Sequence, residues 1–113
     1  MSMRPTTNSD QLHGTLDMLV LKVLEARPLH GYAIAVRLER MSRDVLRVEE
    51  GSLYPALYRM EGRGWVEAEW GTSELGRRAK LYRLTDKGRR QLAAEMATWK
   101  RFSAGVTKVL FDS

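Results

Sequence analysis

The apolar residues of this 113-residue chain change period twice, and that change decides what it can fold into. Leu16, Leu19, Val20, Val23 and Leu24 recur at helical spacing, as do Ile34, Ala35, Leu38 and Met41. In "WVEAEW" the rhythm becomes two, with Val66, Ala68 and Trp70 on one face and Glu67 and Glu69 on the other. After Thr85 the helical period returns: Leu92, Met96, Trp99, Ser103, Val106 and Leu110 are spaced 4, 3, 4, 3, 4. Such a chain is mainly α with a small β-hairpin.

Local signals place the elements. Thr15 is the expected N-cap of a first helix over residues 15–26, with Asp17 in its first turn and Pro28 ending it. A second helix, 32–41, buries Ile34, Ala35, Leu38 and Met41. His30 and Gly31 form its entry, His30 as a local hydrogen-bonding residue rather than a metal ligand. A short β-like piece is expected at 45–48. Ser52 is the expected N-cap of a third helix ending near Gly62, which puts Pro55 where its missing N–H has no helical acceptor. Strands are expected at 65–70 and 79–84, the second with Tyr82 and Leu84 inward. "GTSELGRR" between them reads as a projecting loop. The last helix, N-capped by Thr85, runs to about Leu110 and would extend about 37 Å at ~1.5 Å per residue. Its apolar seam overhangs anything the remaining residues can build, so it needs a partner.

Composition removes several function classes. Without cysteine there is no thiolate chemistry, and His13 and His30 stand far apart, so neither a nucleophile–base pair nor a metal motif is recognisable. An enzyme is not expected, nor a cofactor, nor RNA binding. The most apolar run, "LDMLVLKVLEA", carries Asp17, Lys22 and Glu25 and is too short to span a bilayer. "MSMRPTTNSD" lacks the apolar stretch of a secretory signal, so a cytoplasmic location is expected. The net charge of +5 is modest, yet Arg77 to Arg90 holds seven cations and one acid, Asp86. That is a patch for a polyanion.

A helix pair followed by a hairpin is the winged form of the helix-turn-helix, in which the later helix enters the major groove. At ~100° per residue, Leu53, Ala56, Leu57 and Met60 of the third helix face the core. Pro55, Tyr58 and Gly62 point away, flanked by Tyr54 and Arg59. Tyrosine hydroxyls bond phosphates, and an arginine reaches a phosphate or a guanine edge. Arg77, Arg78 and Lys80 at the edge of the wing suit phosphate contacts. Lys87, Arg89 and Arg90 oppose the dipole at the start of the last helix, which a nearby phosphate backbone would explain. Three segments follow: a flexible tail (1–10), a winged helix-turn-helix (11–85) and a dimerisation helix (86–113).

"GTLDMLVLKVLEARPLHGYAIAVRL", "EEGSLYPALYRMEGRGWVEAEW" and "RRAKLYRLTDKGRRQL" together resemble the PadR family of bacterial transcription regulators, over residues 14–99. The resemblance implies a homodimer formed by the C-terminal helix together with the first helix, hence Leu16 with Leu92, Met96, Trp99, Val106 and Leu110. It implies repression of transcription and contacts to double-stranded DNA from Tyr32, from Ser52, Tyr54 and their neighbours, and from the wing. A single C-terminal helix matches the short subfamily, some members of which bind flat hydrophobic effectors at interface aromatics. Trp99, with Met96 beside it, stands where such a residue would be; as an interface anchor it needs no effector. The competing reading is a winged-helix interaction module whose basic wing binds an acidic protein and no operator.

Overall fold

The structure, a computed structural model, describes residues 5–73 and 75–112, with side chains from Gly14 onward. Its elements in order are α1 (Pro5–Ala26), β1 (Leu29–His30), α2 (Gly31–Met41), α3 (Glu50–Gly62), β2 (Val66–Thr72), β3 (Arg78–Leu84) and α4 (Asp86–Phe111). The three strands form one antiparallel sheet in the order β1-β3-β2. Among the described residues no helix is long and apolar enough to cross a membrane.

The core lies where α1, α2, α3 and the sheet converge. Leu21, Ile34, Leu53, Leu57, Met60 and Val66 are fully enclosed there, each side chain contributing roughly 1.5–3 kcal/mol by leaving water. Tyr82 and Leu84 face inward, as the alternation predicts. Leu92 closes the bottom of the core from α4, and Leu16 packs against it half-buried. One charge enters: Asp17 on α1 is buried and holds Arg59 of α3 at 3.2 Å.

Several boundaries differ from expectation. Helix α1 begins at Pro5, so Thr15 is an interior residue and residues 5–10, expected as tail, are helical; residues 1–4 lie outside the described residues. A proline at the first helical position costs no hydrogen bond, and Gly14 weakens a helix without ending it. Met41, the last residue of α2, is exposed, and Ala35 is only half-buried. Residues 45–48 form no strand. Arg43 and Asp44 turn the chain with φ of 53° and 65°, and Leu46 donates its N–H to Ser42 Oγ at 3.0 Å. Local bonds therefore occupy backbone groups that a ladder would need. The short strand lies earlier: Leu29 pairs with Tyr82 and His30 with Leu81. His30 also donates its Nδ1–H to the Lys80 carbonyl at 3.0 Å, so it is a hydrogen-bonding residue as expected, but its partner is 50 residues away rather than local.

The junction into α4 carries the tightest packing. Thr85 caps the helix, accepting from the Gly88 N–H at 3.0 Å and donating to the Gly64 carbonyl at 2.6 Å. The Thr85 N–H donates to the Trp65 carbonyl at 3.1 Å. A Cβ on Gly88 would collide with that same carbonyl. The "TDKG" run is thus the hinge that fixes where the 26-residue α4 leaves the domain.

Candidate nucleic-acid interface

Helix α3 starts two residues earlier than Ser52, with Glu49 as N-cap. Pro55 therefore lies inside the helix, where its missing N–H would have reached the Gly51 carbonyl four residues back. The helix continues through it, and Gly51 lies on the open side, where an added Cβ would meet nothing within 4 Å. Gly51, Pro55, Tyr58 and Gly62 fall on one line along the helix, all exposed, Tyr58 by 78%. The core uses none of them. The outcome is a flat, small-residue face with one projecting tyrosine, able to approach another surface closely.

Its two flanks are committed inward. On one side Arg59, its side chain 36% exposed, pairs with the buried Asp17 of α1 at 3.2 Å, so the guanidinium expected on the outward face is shared with a carboxylate of the protein. Equal angular distance from the core stripe did not decide its direction; the buried carboxylate did. On the other side Tyr54 lies over Gly31. A Cβ there would sit 2.7 Å from the Tyr54 ring, so the ring keeps this position only while residue 31 is glycine. Tyr54 remains 42% exposed, beside the 64%-exposed Tyr32 in the first turn of α2. Burial, and then the charge of Glu50, hold the Tyr54 hydroxyl above its usual pKa. Ser52 is exposed near the start of α3.

The wing is a paired ribbon rather than a loose loop. β2 and β3 stay in register out to Thr72 opposite Arg78, and the connection is only 73–77. Ser73 donates its N–H to the Arg77 carbonyl at 2.7 Å, and Gly76 takes a φ of 75° to close the turn. Because the ribbon outruns the core, Trp70 shares a face with Val66 and yet stands 57% exposed, against expectation. Two cations lie over its indole: the Arg78 guanidinium 5.0 Å from the ring centre and Lys80 Nζ 5.5 Å.

The cations of the basic stretch are not equivalent. Lys80 is held by Glu61 of α3 at 3.4 Å, Arg83 lies between Glu67 and Glu69, and Arg89 meets Asp86 at 3.8 Å. Among the described residues, Arg77, Arg78, Lys87 and Arg90 have no such acid. Surface pairs of this kind are worth ~0–1 kcal/mol, so a phosphate could compete for any of them. These four cations, without an acid among the described residues, flank the wing and the start of α4.

The seam of α4 is open once it leaves the domain. Met96, Trp99, Val106 and Leu110 are all exposed, and Trp99 lies 6.0 Å from Phe102, ring centre to ring centre. Phe102 is an aromatic that the heptad reading passed over. Among the described residues no group of three His, Cys, Asp or Glu could hold a metal.

A model of the "Transcriptional regulator PadR-like family" matches residues 20–94. The chain is 34% identical to a PadR family transcriptional regulator of solved structure from Eggerthella lenta, covering 96% of this chain and 93% of that one, with a TM-score of 0.76. It is 31% identical to a PadR-like transcriptional regulator from Bacillus cereus, covering 90% and 97%, with a TM-score of 0.74. A transcriptional regulator from Clostridium thermocellum matches at a TM-score of 0.80 over 89% and 98% of the two chains; at 24% identity that likeness is one of fold.

Proposed function

This chain belongs to the PadR-like family of transcriptional regulators, and from that premise we propose that it is a homodimeric repressor that reads a pseudo-palindromic operator. The family is one of regulators, not enzymes. In this reading α3 enters the major groove with Tyr58, Pro55 and Ser52, and Tyr32 and Tyr54 bond phosphates at the groove edge. The wing and the start of α4 grip the flanking backbone through Arg77, Arg78, Lys87 and Arg90. Lys80 and Arg59 act indirectly, each held by an acid of the protein.

The observation that carries the reading is the outward face of α3. Gly51, Pro55, Tyr58 and Gly62 are exposed and unused by the core, and the wing carries Arg77 and Arg78, which meet no acid among the described residues. A flat face lets the helix backbone approach base edges and thymine methyls, and the cations supply affinity that does not depend on sequence. The open apolar seam of α4, with Leu16 of α1 beside its base, supports pairing of two copies. A two-fold pair would set two α3 helices one duplex turn, about 34–36 Å, apart.

The test is binding of the purified protein to the duplex upstream of its own coding region, against a scrambled duplex, across a salt series. Tight, selective binding with a steep salt slope is expected, the slope flattening by about one unit for each phosphate contact removed in Arg77→Ala/Arg78→Ala. Equal, weak binding to both duplexes would favour the interaction module with an acidic protein partner. The Trp99–Phe102 pair gives a second, narrower reading, in which a flat hydrophobic effector stacks at the dimer seam beside Met96 and releases the DNA. A titration of such compounds against the operator complex decides that point separately.

A further inference from the structure

An exposed tryptophan near the end of a two-stranded ribbon is costly to keep unless it has a task, and Trp70 packs on no core. It pairs across the ribbon with Lys80, and Arg78 stands two residues further toward the tip on the same face. The indole carries both cations at cation–π distance. Lys80 in turn reaches Glu61 near the end of α3. A continuous series of contacts therefore runs from the reading helix to the wing: Glu61, Lys80, Trp70, Arg78. Of the two cations, Lys80 is partly neutralised by Glu61, whereas no carboxylate among the described residues pairs with Arg78.

We propose that Trp70 is a positioning residue for DNA binding: its indole holds the Arg78 guanidinium in place, leaving its charge intact for a phosphate or the minor groove. This rests on the operator reading above. A carboxylate partner would order Arg78 equally well but would cancel the charge that the DNA needs. An aromatic face orders it through the ring quadrupole and leaves the five N–H donors available at the guanidinium edge. Ordering beforehand also lowers the entropy lost when the side chain is fixed against DNA.

A double-mutant cycle on the full chain tests this. Trp70→Leu should weaken operator binding about 3- to 10-fold, the scale of one partly desolvated cation–π contact, without lowering the salt slope, because no charge is lost. Trp70→Tyr should recover most of that affinity, and thermal melting should show both variants folded. In an Arg78→Ala background Trp70→Leu should have almost no further effect, since the side chain it positions is gone. Full affinity in Trp70→Leu, or the same loss with and without Arg78, would overturn the proposal.

A readout in the free protein keeps it separable from the operator reading. The Arg78 Nε–Hε signal should be shifted upfield by the indole and become sharp and random-coil-like in Trp70→Leu. A wild-type signal already random-coil-like overturns the positioning role whatever the protein binds. A shifted, ordered signal in a protein that prefers no duplex would leave Arg78 positioned and place the failure in the operator reading.

Discussion

Gly88 and Gly31 each sit where a Cβ has no room, but their neighbours differ in kind. At Gly88 the obstacle is the Trp65 carbonyl, which is also the acceptor for the Thr85 N–H. Backbone cannot move there without breaking the cap of α4. Gly88→Ala should therefore cost roughly 2–3 kcal/mol, as overpacked sites do, and lower the melting temperature by on the order of 10 °C. At Gly31 the obstacle is the far end of the Tyr54 side chain, which rotates away cheaply. Gly31→Ala should melt within a few degrees of wild type yet lose operator affinity if the proposed contacts hold, because the displaced Tyr54 hydroxyl would leave the position from which it is proposed to bond a phosphate. Thermal melts and duplex binding on the two variants check both statements. Equal melting losses would mean that side chain and backbone obstruct alike at these sites. The sequence displays both glycines in recognisable runs, "HGY" and "TDKG". It does not display what each one touches, because Tyr54 and Trp65 lie 23 residues away along the chain in each case. The same gap hid the Asp17–Arg59 pair, which unites α1 and α3 and engages an arginine expected on the outward face.

Elements long enough to repeat their period were legible, and those that borrow their order from a neighbour were not. Helix α4 was readable almost to the residue, since the Thr85 cap and six seam positions agree. Strand β1 has two residues and no period, and exists because β3 offers a free edge. The wing followed the same logic: pairing extended each strand beyond the residues whose alternation is visible. One element-level tension lies at the base of α4. Glu95 accepts a hydrogen bond from Gln91 at 3.0 Å through Oε1, while Oε2 is buried without a partner among the described residues. Burial raises the pKa of this carboxyl most, the Gln91 bond lowers it in part, Asp17 of α1 raises it and Arg63 lowers it. A raised pKa means that the folded state binds the proton more tightly than the unfolded chain does. Its contribution is then most favourable below the unfolded value near 4.5 and is lost as pH rises through the folded one. Glu95→Gln should accordingly raise the melting temperature at pH 7.5 by a few degrees, and the difference should shrink toward zero near pH 4. A difference of the same size at both pH values would show that charge at Glu95 is not what strains this junction.

The whole molecule measures 54 × 28 × 25 Å. Helix α4, with 26 residues, spans ~39 Å, yet only its first turns, through Leu92, meet the core. Beyond them Met96, Trp99, Phe102, Val106 and Leu110 remain in water, an apolar surface that a monomer of this size has little reason to expose. A second copy would cover it with the same residues, because a two-fold contact is self-complementary. In the proposed dimer, affinity would depend on the pair: each half-site alone would bind weakly, and joining two readers through a stiff helix would raise the overall avidity by a factor of 10²–10⁴. Val106→Asp puts a charge at the middle of the seam, far from the winged-helix core, so its effect should fall on assembly alone. The wild-type chain should elute at about twice its 13.0 kDa by light scattering, and the variant at the single-chain mass with its helical content retained. Operator affinity should fall at least ~100-fold, whereas weak binding to an isolated half-site should not change. If the variant remains paired, the contact lies elsewhere, and the α1 face bearing Leu16 becomes the surface to mutate. If it separates and binds the operator as tightly as wild type, one copy reads the whole site and the two-fold geometry has no part in recognition.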